Sequence, residues 1–169
     1  MNDSLVTSKT TGRFVYIFFG ILAGLMVLWI AYMAITGNEW GTVRQGEAET
    51  YTVRIADNPI EWAKGLSGTK ASDLGDAIGL LFVYGKAEER TFWMKGMNYN
   101  LDILWIKEGR VMKIDYNVPA PAAGQEPISV MSDPLLVDMV LEMPAGGADR
   151  VGYLAGHQLY FDLDAPAQN

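Results

Sequence analysis

Cysteine is absent from all 169 residues, so disulfides, thiolate chemistry and zinc ribbons are excluded. Histidine is nearly absent: His157 is the only one, placed just after Gly156 where a turn is expected. A metal site would have to use oxygen ligands for Ca²⁺ or Mg²⁺, and no D-x-D-x-D-G loop spaces them. No G-x-S-x-G elbow and no Walker or Rossmann glycine pattern occurs, which leaves hydrolase-triad and nucleotide readings without support. The sequence therefore calls for no metal and no cofactor. Basic residues are scarce, 13 Lys and Arg against 20 Asp and Glu, for a net charge of −7. Setting aside Asp3, Lys9 and Arg13, which sum to +1, leaves −8 on the remainder. An acidic surface of that kind disfavours nucleic acid and anionic lipid.

What the N-terminus does have is one long apolar run. Phe14 to Ile35 is 22 residues without a charge, and roughly 20 suffice to cross a bilayer as a helix. A cleavable signal would have an apolar stretch of only about 7–15 residues and a small-x-small site, for which Ala34-Ile35-Thr36 is a poor match. The reading is an uncleaved anchor over 14–35 in contact with the lipid bilayer, after a cytoplasmic segment 1–13. Lys9 and Arg13 precede the span, while Glu39, Arg44, Glu47 and Glu49 follow it. Positive-inside bias then leaves the N-terminus in the cytoplasm and the C-terminal domain outside a cytoplasmic (inner) membrane. Gly20 and Gly24 form a small-xxx-small pair compatible with a weak homodimer. Trp29, Tyr32 and Trp40 suit an interfacial aromatic belt.

Residues 36–49 are polar and lack an apolar period, which reads as a tether. A domain over 50–164 and a loose tail over 165–169 follow. Tyr51 to Ile55 alternates as a strand. Asn58-Pro59-Ile60-Glu61 is a helix start with Asn58 as N-cap, and Gly65 is placed to end that helix. Gly79 to Tyr84 and Arg90 to Lys95 read as strands paired around the turn at 85–88. Leu101 to Lys107 and Arg110 to Val118 form a hairpin across Glu108-Gly109. Later strands are expected at 128–131, 135–143 and 158–163, with a second short helix near 147–153. The pattern predicts an α+β domain, mostly antiparallel, as a small barrel or sandwich of about seven strands with two short helices.

The stretch Phe92-Trp93-Met94-Lys95-Gly96-Met97-Asn98-Tyr99-Asn100-Leu101-Asp102-Ile103-Leu104-Trp105-Ile106 sets one lysine and one aspartate among large apolar residues. Such charges must be paired, hydrogen-bonded or held at a pocket mouth. In a strand Asp102 shares a face with Leu104 and Ile106, while Leu101, Ile103 and Trp105 take the other. Both faces are apolar, so the strand is central and Asp102 partly buried. It serves either as a staple, with Lys95 closing the loop between them, or as a tuned acid or base. Glu142 is the second carboxylate in apolar surroundings. Asp102 and Glu142 together would make a paired acid/base site. Trp93, Tyr99 and Trp62 either line a groove or fill the core.

Several blocks resemble one family. Glu61-Trp62-Ala63-Lys64-Gly65-Leu66 is similar to its E-x-x-x-G-L, and Gly79 to Tyr84 to its G-M-L-F-x-F. The F-W-M-K to L-D-I core follows, then Val140-Leu141-Glu142 with Pro144-Ala145-Gly146, then Gly152 to His157 in place of G-x-x-x-G-D. In this order, from about Tyr51 to Asp164, the chain resembles domain of unknown function 192, an uncharacterised bacterial and archaeal family. The resemblance implies a fold and no reaction. Gly96-Met97 replaces the usual Asn-Thr, Asn100 the usual proline and His157 the last aspartate, so a polar site carried by that loop would be altered here. The functional expectation is a membrane-anchored extracytoplasmic binding or accessory domain that engages an envelope component or partner protein through Trp93, Lys95, Tyr99 and Asp102. One alternative is an envelope-polymer enzyme using Asp102 and Glu142. Another is a structural subunit that associates through its transmembrane helix.

Overall fold

The computed structural model describes residues 16–28 and 40–164. The chain divides into two compact units, Met1–Thr36 and Gly37–Asn169. In the first, residues 16–28 are helical, with Ile17, Phe18, Phe19 and Ile21 all exposed. Among the described residues no helix is long and apolar enough to cross a membrane. The expected span also takes in residues 14, 15 and 29–35, which lie outside the described residues, as do the segment 1–13, Trp29, Tyr32 and the tail 165–169.

Among the described residues the second unit holds nine strands: β1 (Trp40–Arg44), β2 (Thr50–Ala56), β3 (Leu80–Glu88), β4 (Thr91–Trp93), β5 (Leu101–Lys107), β6 (Arg110–Val118), β7 (Ser129–Met131), β8 (Val137–Pro144) and β9 (Tyr160–Asp162). Its helices are α1 (Pro59–Lys64), a 3-10 turn at Ala71–Leu74 and α2 (Gly147–Val151). Seven strands form one sheet in the order β6-β5-β8-β3-β2-β1-β9, and β4 pairs with β7 apart from it. Every pair in the large sheet is antiparallel except β2–β3. That parallel step is the one crossed by α1, as parallel neighbours require a crossover.

The sheet curls until its two edges meet. Arg110, at the start of edge strand β6, bridges to Gln158, just before edge strand β9. The Val111 N–H donates to the His157 carbonyl at 2.9 Å, and the Leu159 N–H donates to the Gly109 carbonyl at 2.8 Å. Joining the edges there closes the start of the open backbone row of β6 that would otherwise invite another chain. The cluster drawn from both edges, Val43, Val111 and Leu159 with Leu81, Leu104, Leu141 and Tyr153, is the one inside the curl. The opposite face carries Phe82, Ile103, Trp105 and Val140, and is covered by Leu66, Leu74, Met94 and Met97 from the connecting segments.

The α+β, mostly antiparallel expectation thus describes the domain. Strand β5 lies between β6 and β8 and is buried at every position but its last. Its hairpin turns at Glu108 and Gly109, with φ of 50° and 77°, the positive angles a two-residue I′ turn demands.

Two expectations are corrected. The segment read as a tether, 36–49, contains β1, and Trp40 belongs to that strand rather than to a membrane belt. Trp40 pairs in register with Arg54, whose guanidinium lies 5.5 Å from its ring centre. The strand is hard to read because only alternate residues are buried and Gly41 interrupts the pattern, yet that glycine is needed. A Cβ there would stand 2.9 Å from both the Asp162 carbonyl and Ile55. The second correction concerns β3 and β4, which do not pair. Strand β3 continues through the expected turn to Glu88 between β2 and β8, and β4 pairs with β7, the strand that follows the proline-rich loop. The apolar runs were legible; their partners depend on contacts distant in sequence.

Candidate functional site

One wall of a cleft is built by α1 and the turn after it. The Asn58 side chain accepts from the N–H groups of Ile60 and Glu61, each at 3.2 Å, and Pro59 begins the helix where a missing N–H costs nothing. Gly65 stops it, with φ of 49° and its N–H donating to the Glu61 carbonyl. A side chain at this position would meet Phe82 at 3.2 Å and Glu142 Oε2 at 3.3 Å. Glycine therefore lets the chain pass directly over Glu142. Trp62 packs against Tyr84 with ring centres 4.9 Å apart and donates from Nε1 to the Ala56 carbonyl at 3.0 Å.

The facing wall is β4 and the loop that follows. Phe92 sits edge-on to Phe82 and to Trp105, at 4.8 and 5.5 Å. Trp93 donates from Nε1 to the Pro127 carbonyl, and Lys95 Nζ rests 4.7 Å from the centre of the Trp93 ring. The two walls are stitched at one end. Ser67 Oγ donates to the Lys95 carbonyl at 3.0 Å, the Gly68 N–H to the Gly96 carbonyl at 2.8 Å, and Asn98 Nδ2 to the Thr69 carbonyl at 2.9 Å. Thr69 and Tyr99 share a hydroxyl hydrogen bond at 3.0 Å. Between the walls lies a cavity of about 560 Å³, lined by Trp62, Lys64, Phe92, Trp93, Lys95 and Glu142 among others. This is within the roughly 300–1,000 Å³ range of small-molecule sites. A smaller cavity of about 220 Å³, lined by Arg54 and Glu61, lies across Lys64-Gly65-Leu66.

Glu142 is the unusual group. It is 6% exposed, and its Oε2 has no hydrogen-bond partner. Burial pushes its carboxyl up to about 8, against the opposing pull of the Leu66 N–H. Near neutral pH it is a protonated acid, able to donate as well as accept a hydrogen bond. Tyr84, beside Trp62, is pushed up to about 12, mainly by burial. A buried, partly unsatisfied acid at the floor of an aromatic cleft is the kind of group that marks a binding or reaction site.

The structure separates the sequence-picked residues into two groups. Trp93, Lys95, Trp62 and Glu142 line the cleft, whereas Tyr99 bonds to Thr69 and packs against the core beside it. Asp102 belongs elsewhere. It is 1% exposed, and its two oxygens accept the N–H of Asn117 at 2.9 Å and of Ala148 at 3.1 Å. The proposed partnership with Lys95 is replaced by these backbone donors. The paired-carboxylate site also fails, for reasons of register. Asp102 lies opposite Met143 and Ile103 opposite Glu142 across β5 and β8, so the two acids emerge on opposite faces of one sheet. His157 is in the turn region expected of it, its Nδ1 accepting from the Leu154 N–H at 3.2 Å. Lys64 and Phe92 complete the cleft and were not singled out from the sequence; the helix stop at Gly65, one turn after Trp62, was the signal available for that wall.

Cleft and curled sheet together define a small α+β domain with a ligand-sized site between its parallel crossover and its separate β4–β7 strand pair. The model of the family DUF192, described as "Uncharacterized ACR", matches residues 41–161, and the chain belongs to that family. Two solved structures are similar. One is a candidate transcription regulator from Sinorhizobium meliloti 1021, 28% identical over 74% of this chain and 95% of its own, with a TM-score of 0.62. The other, a protein of unknown function from Novosphingobium aromaticivorans DSM 12444, is 30% identical over 72% of this chain and 83% of its own, with a TM-score of 0.56. No curated protein matches the chain.

Proposed function

We propose that this protein is a membrane-tethered module that binds a small molecule in the Glu142 cleft on the outer side of the cytoplasmic membrane. The observation that carries the binding reading is the buried, unpartnered Oε2 of Glu142, a residue that lines the aromatic cavity. A buried polar atom without a partner costs about 1–3 kcal/mol, and a ligand hydrogen bond would recover that cost. The tether reading rests on the uncharged run 14–35 and on the exposed apolar side chains around the helix at 16–28, a pattern of helices that lie in lipid or in a protein core. A fragment screen by saturation-transfer NMR on the full chain in mild detergent tests the binding reading. Hits should lose their signal in Glu142→Leu, with the far-UV spectrum unchanged. A screen without hits, or hits indifferent to Glu142→Leu, would remove the cleft as the site. For the tether, a periplasm-active reporter fused after Ala165 should give signal and a cytoplasm-active one none; the reverse pattern would put the domain inside the cell.

A further inference from the structure

The charges around the cleft run against the rest of the molecule. The chain is acidic, with a net charge of −7, yet the cleft is lined by Lys64 and Lys95, and its only carboxyl is Glu142. Glu61, one turn before Gly65, faces the smaller cavity instead. Neither lysine forms an ion pair among the described residues. Lys95 is positioned by the Trp93 ring, and Lys64 by the last turn of α1, where a cation is favoured by the helix dipole. Glu142 is set apart from both: burial and the Leu66 N–H act on it, with no lysine among the causes. The cleft thus brings together, along aromatic walls, a buried acid and two lysines that form no ion pair among the described residues.

From this arrangement, and resting on the binding reading above, we infer the ligand class. The cleft takes an aromatic or apolar molecule with an uncharged hydrogen-bonding group at one end and a single anionic group at the other. The uncharged end, a hydroxyl or amide, reaches Glu142 Oε2, where both a donor and an acceptor are on offer. The body lies against Trp62, Phe92 and Trp93, whose faces supply stacking area at little entropic cost. The anionic end meets Lys64 and Lys95. A cationic ligand is disfavoured twice, by the two lysines and by the neutral acid. The titratable groups facing Glu142 from its surroundings are Tyr84 on β3 and Tyr99 after β4, and both stay uncharged at neutral pH.

A matched set of probes reads each end separately on the full chain: 3-(4-hydroxyphenyl)propionate, the same acid without its hydroxyl, its primary amide, and tyramine. The hydroxy acid should bind, and loss of either polar end should weaken it about tenfold, the effect of one hydrogen bond. Tyramine should not compete. Lys64→Met with Lys95→Met should abolish the preference for acid over amide while leaving the amide unchanged. Glu142→Gln, which keeps a donor and an acceptor, should retain the preference for the hydroxyl, and Glu142→Leu should lose it. Equal affinity for acid and amide would overturn the inference. So would tyramine binding best and vanishing in Glu142→Gln, since an ionised Glu142 would then be holding a cation. Both outcomes leave the cleft standing as a binding site. Fragment hits in the cleft with none from this set would overturn the ligand class alone, whereas an empty fragment screen overturns the binding reading itself.

Discussion

Replacing Asp102 by asparagine separates a structural staple from a working acid. The carboxylate accepts two backbone N–H bonds, from Asn117 on β6 and from Ala148 at the start of α2, and is 1% exposed. An amide can accept only one of them; its NH₂ must then face the other N–H, donor against donor. The loss is one hydrogen bond to a charged group, about 1.5–3 kcal/mol, plus an unsatisfied buried donor at about 1–3 kcal/mol. Partial relaxation of α2 should reduce the total, giving roughly 2–4 kcal/mol. Urea unfolding of the full chain, followed by tryptophan fluorescence, measures this as a lower midpoint at unchanged slope. Lys95 supplies the control. Because it sits over Trp93 and makes no contact with Asp102, Lys95→Met combined with Asp102→Asn should be additive within about 0.5 kcal/mol. A loss below about 0.5 kcal/mol in Asp102→Asn, or a double variant much milder than the sum, would refute the backbone-staple account and restore the lysine pair.

The remaining expectations use the same assay. Trp105→Ala should cost about 3–5 kcal/mol, because the ring is fully buried and its Nε1 donates to Asp115 at 2.7 Å; a cost under 1 kcal/mol would mean that it is not part of the core. Gly96→Ala should destabilise by at least about 1 kcal/mol and weaken cleft binding, since Gly96 has φ of 71° and its Cβ would fall 2.4 Å from Ser67 Oγ; full stability would show that the stitched loops are not held as described. Glu142 sets a pH dependence. Its folded value of about 8 is above the ordinary 4.5, so its stabilisation is complete below about 4.5 and is lost as pH rises toward 8, by a few kcal/mol in all. Glu142→Gln should flatten the midpoint between pH 5 and 8; an unchanged slope would mean that Glu142 is ionised in the folded state.

Much of the domain was legible because local signals and global fold agree. The helix start at Asn58-Pro59, the stop at Gly65 and the hairpin at Glu108-Gly109 are each decided within a few residues, and the structure keeps all three. The two-faced apolar strand around Asp102 also carried its own proof, since an element apolar on both faces must be central. What was not legible was pairing. Strands β4 and β7 are three residues each and pair with one another across β5 and β6, a partnership that no local pattern specifies.

The functional misreading has the same origin. Asp102 and Glu142 read alike in sequence, each an acid in an apolar strand. Strand periodicity tells which neighbours a side chain shares within its own strand; the face it shares with a second strand depends on register. Here the register sets Glu142 opposite Ile103 rather than Asp102, so one carboxylate turns toward α2 and two backbone donors while the other turns toward the cleft. A shift of one residue in that pairing would have put both acids on one face. The difference between a staple and a candidate ligand contact thus lies in which N–H groups reach each acid. Asp102 has both oxygens engaged, whereas Glu142 has one left over. For a buried acid, a free oxygen at the floor of a cleft is the sharper marker of a site, because full satisfaction already accounts for its burial.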